Sequence, residues 1–515
     1  MQPVDSNQDA ASTRGLLSRE GTTQASIALI LLLGSLLCQF RFSQVVGSDG
    51  FFHIRLAEQL FEGAMPWLPL TIFSDGWVDH QLLFHAALFP FAATLPGITA
   101  AKAGAAVLAA AAAFTIYRFL RTEGCPAPLL FALLPPALSW HFWLRLEMPR
   151  TQGLSLVLLF LCLGALCRGR HRTLFALSWL YAWTYHVAFA LLPMALLHAA
   201  VVMWTSSALP RHQALRGPLY IGAGLLAGLT IHPHTPHTFR FLYHHVILKV
   251  WNPSQLPVGL EWRDGGLDLL LSQGTPSLLL LGLAAAALMR ASGRRSGVAL
   301  FFLLSAVVAN AAIVQGSRFL EYSLPLSATA LALALRDLDP SPPRWGWTPL
   351  RWGAGVALAC GLVLSMNSVK QAVEDTEPNP NRLAPAMNWL GNNATPEDVV
   401  YHFSWGDFPE LVFHGPQFRY IIGLDPHFLE LKDPQLWSLY QRIGAGGAHS
   451  GRNPSKPISQ RFGAQWAILV HPYPGAPELL DEDRGLTLVY EDSSAIVYRV
   501  REGGWDGSSH EAPPK

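Results

Sequence analysis

A chain of 515 residues in which 51% are hydrophobic and only 14% are charged is too apolar for an ordinary soluble protein. Lys and Arg number 36 against 35 Asp and Glu, so net charge offers no pull on nucleic acid or on an acidic partner. What remains is a polytopic membrane protein, with mean hydropathy +0.27.

Residues 1–23 read as a cytoplasmic N-terminal segment. The first apolar run, 24–42, has Arg14 and Arg19 before it and no small-residue cleavage site behind it, which predicts a retained anchor. Further apolar runs lie near 99–118, 126–143, 151–167, 173–187, 189–204, 218–231, 268–289, 297–314, 319–335 and 350–366. Together they predict about eleven transmembrane helices, several shorter than the ~20 residues of a straight span. With a cytoplasmic N-terminus, the arginine-dense loops "YRFLRTEG", "CRGRHR", "PRHQALRG", "MRASGRRSG" and "LRDLDPSPPR" all fall on the cytoplasmic side, as the positive-inside rule requires.

The other face receives the loop 43–98, the turn "WLRLEMPR", the loop 232–266, the turn "VQGSRF" and everything after about residue 370. Within the first loop, "HQLLFHAALFPFAATLPG" (80–97) is short and broken by Pro, which predicts a helix lying along the interface. Residues 24–369 therefore form the membrane domain. In 370–500, "DVVYHFS", "FRYIIGL", "AQWAILV", "LTLVYED" and "AIVYRV" predict strands and "DPQLWSLYQRI" a helix, a small extracytoplasmic α/β domain. Residues 501–515 read as a disordered tail. Cys38, Cys125, Cys162, Cys167 and Cys360 sit in or beside apolar runs, which argues against a disulfide framework. No internal repeat is visible and ionisable residues gather in loops, both of which speak against a transporter.

Candidate chemistry begins in "SDGFFHIRLAEQL" (48–60). Asp49, His53 and Arg55 are spaced so that a helix starting here puts Asp49 and His53 on one face. On spacing alone, a plain helix start with Asp49 at its positive end and a snorkelling Arg55 explains them equally well. In "IHPHTPH", His232, His234 and His237 have the composition of a metal site, but two prolines break the helix that would align them. Imidazoles satisfied by water or phosphate are the plainer account. "GLEWRDGG" adds Glu261 and Arg263.

The stretch 48–80 resembles the first external loop of the catalytic subunit of oligosaccharyltransferase, a GT-C superfamily membrane glycosyltransferase. Asp49, Phe52 and Arg55 match that loop's pattern, with Gly50 and His53 replacing its Pro and Asn. "SRFLEYSLP" is similar to a late-helix stretch in which Arg318 stands seven residues before Pro325. "FSWGDFPELVFH" resembles the acceptor-recognition motif, with Trp405 and Asp407 as counterparts. In "LEMPRTQG", Arg150 and Gln152 stand where the family has acids, leaving Glu147 as the nearest carboxylate.

The resemblance implies a GT-C fold and transfer of a sugar or oligosaccharide from a polyprenyl-phosphate or pyrophosphate carrier to a lipid, glycan or protein acceptor at the outer face. It implies Asp49 as the catalytic carboxylate and Arg318 as a donor-phosphate ligand; by residue type and position, Glu147 or Glu261 would be the second carboxylate and Arg55 or Arg263 further phosphate donors. Trp405 and Asp407 would bind the acceptor, and transfer would invert the anomeric centre. A divalent cation, Mg or Mn, on Asp49, Glu147 and His232 stays open beside a metal-free route with Asp49 as base. Two other readings compete: an oligosaccharyltransferase acting on protein Asn, and a degenerate GT-C scaffold or lipid-glycan binder, which the missing acids at 150–152 favour. The expected setting is a bacterial inner membrane, with membrane lipids as partners and no nucleic acid.

Overall fold

The computed structural model describes residues 6–60, 67–205, 210–248, 266–291, 295–338, 349–444, 453–471, 480 and 482–504. Glu261 and Arg263 lie outside them. Helices fill the first three quarters of the chain. The first, Ser6–Gln39, starts earlier than the apolar run and leaves Leu29, Ile30 and Leu33 exposed, as does Trp352–Thr376 with Val356, Val363 and Leu364. Such rows of exposed aliphatic side chains suit lipid rather than water. Between these helices, Gly97–Thr122 buries Ala100, Ala101, Ala105, Ala106 and Ala109. Its small side chains allow close packing against Ser6–Gln39 and Gln152–Cys167. The helix Leu320–Leu338 is almost wholly buried, and its Glu321 accepts Nε of Arg145 at 2.7 Å.

Among the described residues, five helices are long and apolar enough to cross a membrane: Gly21–Gln39, Gly97–Thr122, His186–Thr205, Gly297–Gln315 and Trp352–Thr376. Two bent pairs raise the number to seven, against the eleven expected: Pro128–Leu138 with Trp140–Glu147, turning by 95°, and Gly266–Ser272 with Thr275–Arg290, turning by 74°. The other apolar runs form shorter helices, and local breaks explain part of this. Ser139 is extended between the first bent pair and caps the second helix through Phe142 N.

The loop 43–98 folds into the helix Asp49–Glu58, a 3₁₀ turn Ile72–Asp75 and the helix Leu82–Ala92. The described part of 232–266 forms a short helix, His237–Leu242, and a π-turn, Tyr243–Ile247. After the long helix Pro349–Thr376, each of the five predicted stretches contributes a strand: β1 Val399–His402, β2 Arg419–Tyr420, β3 Trp466–Val470, β4 Leu486–Glu491 and β5 Ala495–Val500. Their order is β2-β1-β3-β5-β4, with β1 parallel to β2 and β3, and β5 antiparallel to β3 and β4. "WAILV" of β3 is buried at every position, as a central strand covered on both faces must be.

The two parts of the molecule share a core. Phe52 of the helix Asp49–Glu58 packs on Trp67 and Phe408, and Phe51 lies 5.2 Å from Phe413 between ring centroids. Asp75 pairs with Arg240 at 2.9 Å and with Lys432, tying the first loop, the second loop and the sheet domain together.

Candidate active site

The first loop, the turn after Glu147, the Arg318 turn and the segment 405–428 enclose a cavity of about 300 Å³. Its floor is set by a close approach at Gly50. A Cβ there would meet Pro149 Cγ and Val45 Cγ1 at 2.9 Å, so only glycine lets the start of the helix Asp49–Glu58 lie against the Met148–Arg150 turn. That contact brings Arg150 to Asp49: its Nε donates to Oδ2 at 2.7 Å, and Nη2 donates to the same oxygen. Arg150 thus meets the acid as a partner where the family pattern has another acid. Arg318 lines the same cavity from the 3₁₀ turn Ser317–Phe319, with Nη1 3.4 Å from the Tyr185 hydroxyl.

His53 follows Asp49 by one helical turn, and both line the cavity. Its Nδ1 is 2.9 Å from Nε2 of His85, whose Nδ1 is 2.7 Å from Oδ2 of Asp79. All three side chains are buried. Burial, with His85, Arg150 and His80 nearby, pushes the His53 imidazole well below its ordinary range, so it is neutral at pH 7. Burial alone would raise Asp79, but His85, His80 and the backbone N–H of Gln81 outweigh it and hold the carboxyl low. An anionic Asp79 fixes the proton of His85 on Nδ1. His53 then donates Nδ1–H to His85 and keeps Nε2 as an acceptor. "WVDHQLLFH" held Asp79 and His85 in plain sight; the acid and the imidazole six residues apart were the missed signal.

The other expected residues scatter. Trp405 lines the cavity beside Gly406 and Pro409. Asp407 does not line it; burial and Glu410 push its carboxyl up to about 7 against the pull of Arg382, which pairs with Glu410 at 2.8 Å. Arg55 does not line it either. Its Nε donates to the Phe413 carbonyl at 2.7 Å, its guanidinium lies 4.8 Å from the Phe413 ring centroid, and Nη1 meets Glu58 at 2.5 Å. It is spent on holding the sheet domain to the first loop.

Glu147 is fully buried away from the cavity, accepting from Trp143 Nε1 at 2.9 Å, and Gln39 of the first helix donates to its backbone carbonyl. The helix Trp140–Glu147 turns it inward, which spacing alone does not reveal. His232 lies in the turn after Arg216–Thr230, 5.3 Å from the rings of Trp183 and His234. Asp49, Glu147 and His232 therefore do not converge among the described residues, and they do not fit the Mg or Mn site expected of them.

No protein-family model matches the chain, and no curated protein matches its sequence. Solved structures do match its fold. The apo oligosaccharyltransferase of Archaeoglobus fulgidus superposes with TM-score 0.57 at 14% identity, over 94% of this chain and 75% of that one. ArnT of Cupriavidus metallidurans bound to undecaprenyl phosphate gives 0.58 at 14% identity, over 93% and 98%. The arabinofuranosyltransferase AftD from mycobacteria gives 0.54 at 16%, over 94% and 40%. The chain has the fold of GT-C membrane glycosyltransferases. The match spans both the helical bundle and the sheet domain.

Proposed function

We propose that the protein is a membrane glycosyltransferase that moves a sugar or oligosaccharide from a polyprenyl-phosphate or pyrophosphate carrier to a lipid, glycan or protein acceptor. The observation that carries this reading is the cavity itself: two guanidiniums, a carboxylate and a hydrogen-bonded Asp–His–His chain line one space in a GT-C fold. Arg318 and Arg150 hold the departing phosphate, whose growing charge suits forked donors. Asp49, oriented by Arg150, engages the acceptor, and His53, backed by His85 and Asp79, takes its proton. Trp405 packs on the acceptor. Direct displacement inverts the anomeric centre.

In this reading the cavity and the sheet domain face away from the cytoplasm of a bacterial inner membrane, and about eleven segments cross the bilayer, which thins locally around the shorter helices. Reporter fusions at Gly47 and Gly504 should agree with each other and oppose one at Gly169; a cytoplasmic Gly504 would dismantle the proposed site. The Asp49–Arg150 pair gives the scaffold reading its one specific support, because a neutralised carboxylate is a poor metal ligand. Asp49→Asn decides between them. As the acceptor-engaging group its loss should cut glycan transfer ~10²- to 10⁴-fold at normal expression; near-normal transfer would leave Asp49 a helix-start residue.

A further inference from the structure

Beside the same cavity, two segments far apart in the chain bring ligand-type side chains together. His245 stands on the π-turn Tyr243–Ile247, a distortion that often marks functional positions in helices. Asp425 and His427 stand where the chain enters the helix His427–Lys432. One donor atom from each of the three lies within 4.8 Å of the other two, and all three residues are buried. Nδ1 of His427 and Oδ1 of Asp425 are 2.7 Å apart, and the His245 and His427 rings lie 6.0 Å apart between centroids. We propose that His245, Asp425 and His427 bind a divalent transition ion of the zinc class, which pins the second external loop to the sheet domain and keeps a coordination position open to the cavity.

Ligands bound at ~2.1 Å to one ion stand ~3 to 4 Å from each other, so the donors, all within 4.8 Å of one another, close on an ion with shifts of about 1 to 2 Å at most. A hydrogen-bonded Asp–His pair accounts for Asp425 and His427 alone. It does not account for the further imidazoles crowded beside it: His80 and His186 lie 5.4 and 5.0 Å from His245 between ring centroids. Two buried imidazoles and two half-buried ones around one carboxylate form a nitrogen-rich donor set, which favours zinc, cobalt, nickel or copper over the oxygen-seeking Mg and Mn. His245 and Asp425 line the cavity, which gives the ion an entry path and leaves room for water or a phosphate oxygen at the open position. The ligands do not include Asp49, and the proposal stands apart from the glycosyltransferase reading because metal binding is measured without turnover.

The test is a Co²⁺ titration of the full-length protein in detergent after chelator treatment. One Co²⁺ per chain, with visible ligand-field absorption displaced by Zn²⁺ and unaffected by excess Mg²⁺, is the expected result. His245→Gln, His427→Gln and Asp425→Asn keep approximate volume and hydrogen-bonding capacity. Each should weaken Co²⁺ binding at least ~100-fold, beyond the ~10- to 100-fold of losing an outer partner, while metal-free thermal unfolding stays near that of the parent. Absence of stoichiometric Co²⁺ in the parent, displacement by Mg²⁺, or unchanged affinity in the three variants would overturn the proposal.

Discussion

On the wall built by the helix Asp49–Glu58, charge is held by pairing: the carboxylate of Asp49 meets the Arg150 guanidinium directly. On the wall built by residues 405–428, Asp425 sits among imidazoles that carry no fixed charge, with His427 at 2.7 Å and His245 beside them. The guanidinium of the first arrangement keeps its charge through the physiological pH range, because an arginine does not lose its proton there. The second gathers nitrogen and oxygen donors of the kind the proposed cation would take. One cavity thus has a wall suited to a constant phosphate charge and a wall suited to a ligand that comes and goes.

After the loss expected of Asp49→Asn, the next largest effect tests where the proton acceptor lies. His53→Gln should lower transfer by ~10² to 10³. In the parent, His53 stays neutral below pH 6.5 because burial depresses it, so activity should persist into mild acid and fall only when the pH reaches its lowered pKa. A pH–rate profile with the same acid limb in parent and variant would move the acceptor to another group.

Arg318→Lys keeps the charge and loses the fork. Donor affinity should drop about tenfold, or ~1.4 kcal/mol, with folding intact. Unchanged binding in a polyprenyl-phosphate titration would reduce Arg318 to a snorkelling side chain.

A smaller effect concerns stability. Asp407 is raised to about 7 when folded, so the folded state holds its proton across a range where the unfolded chain has released it. Its contribution is favourable at low pH and is lost as pH rises from ~4 to ~7. Asp407→Asn should therefore gain stability across that window and level off above it, by ~1 to 2 kcal/mol once screening by water at the partly exposed side chain is allowed for. Thermal unfolding at pH 5 and pH 8 measures this; equal gains at both would remove the cause assigned to the shift.

The smallest effect is expected at Glu147. Gln keeps the acceptor for Trp143 Nε1, so Glu147→Gln should change stability by less than ~1 kcal/mol and leave transfer per folded molecule unchanged. A transfer loss comparable to that of Asp49→Asn would return Glu147 to the site.

Local pattern made the five strands and the helix at Asp49 legible, because burial on alternating or continuous positions is a property of neighbours in sequence. The family resemblance pointed to Glu147 as the nearest acid, but the helix Trp140–Glu147 packs its side chain against Trp143, away from the cavity. Apolar runs also do not say where Ser139 or Gly274 will break a helix. The relay spans two helices of one loop, and the His245–Asp425–His427 cluster joins distant segments. Neither is a periodicity. Arg150 was visible as a missing acid, but its pairing with Asp49 depends on the approach that Gly50 allows.

The place of β5 in the sheet has a consequence in time. Residues 495–500 come late in the chain, yet they sit between β3 and β4 rather than at an edge. During synthesis, the membrane helices and the Asp49–Arg150 pair are available long before the strand that completes the sheet under the 405–428 wall. A nascent chain would therefore form the Asp49–Arg150 contact while the sheet beside the 405–428 segment was still incomplete.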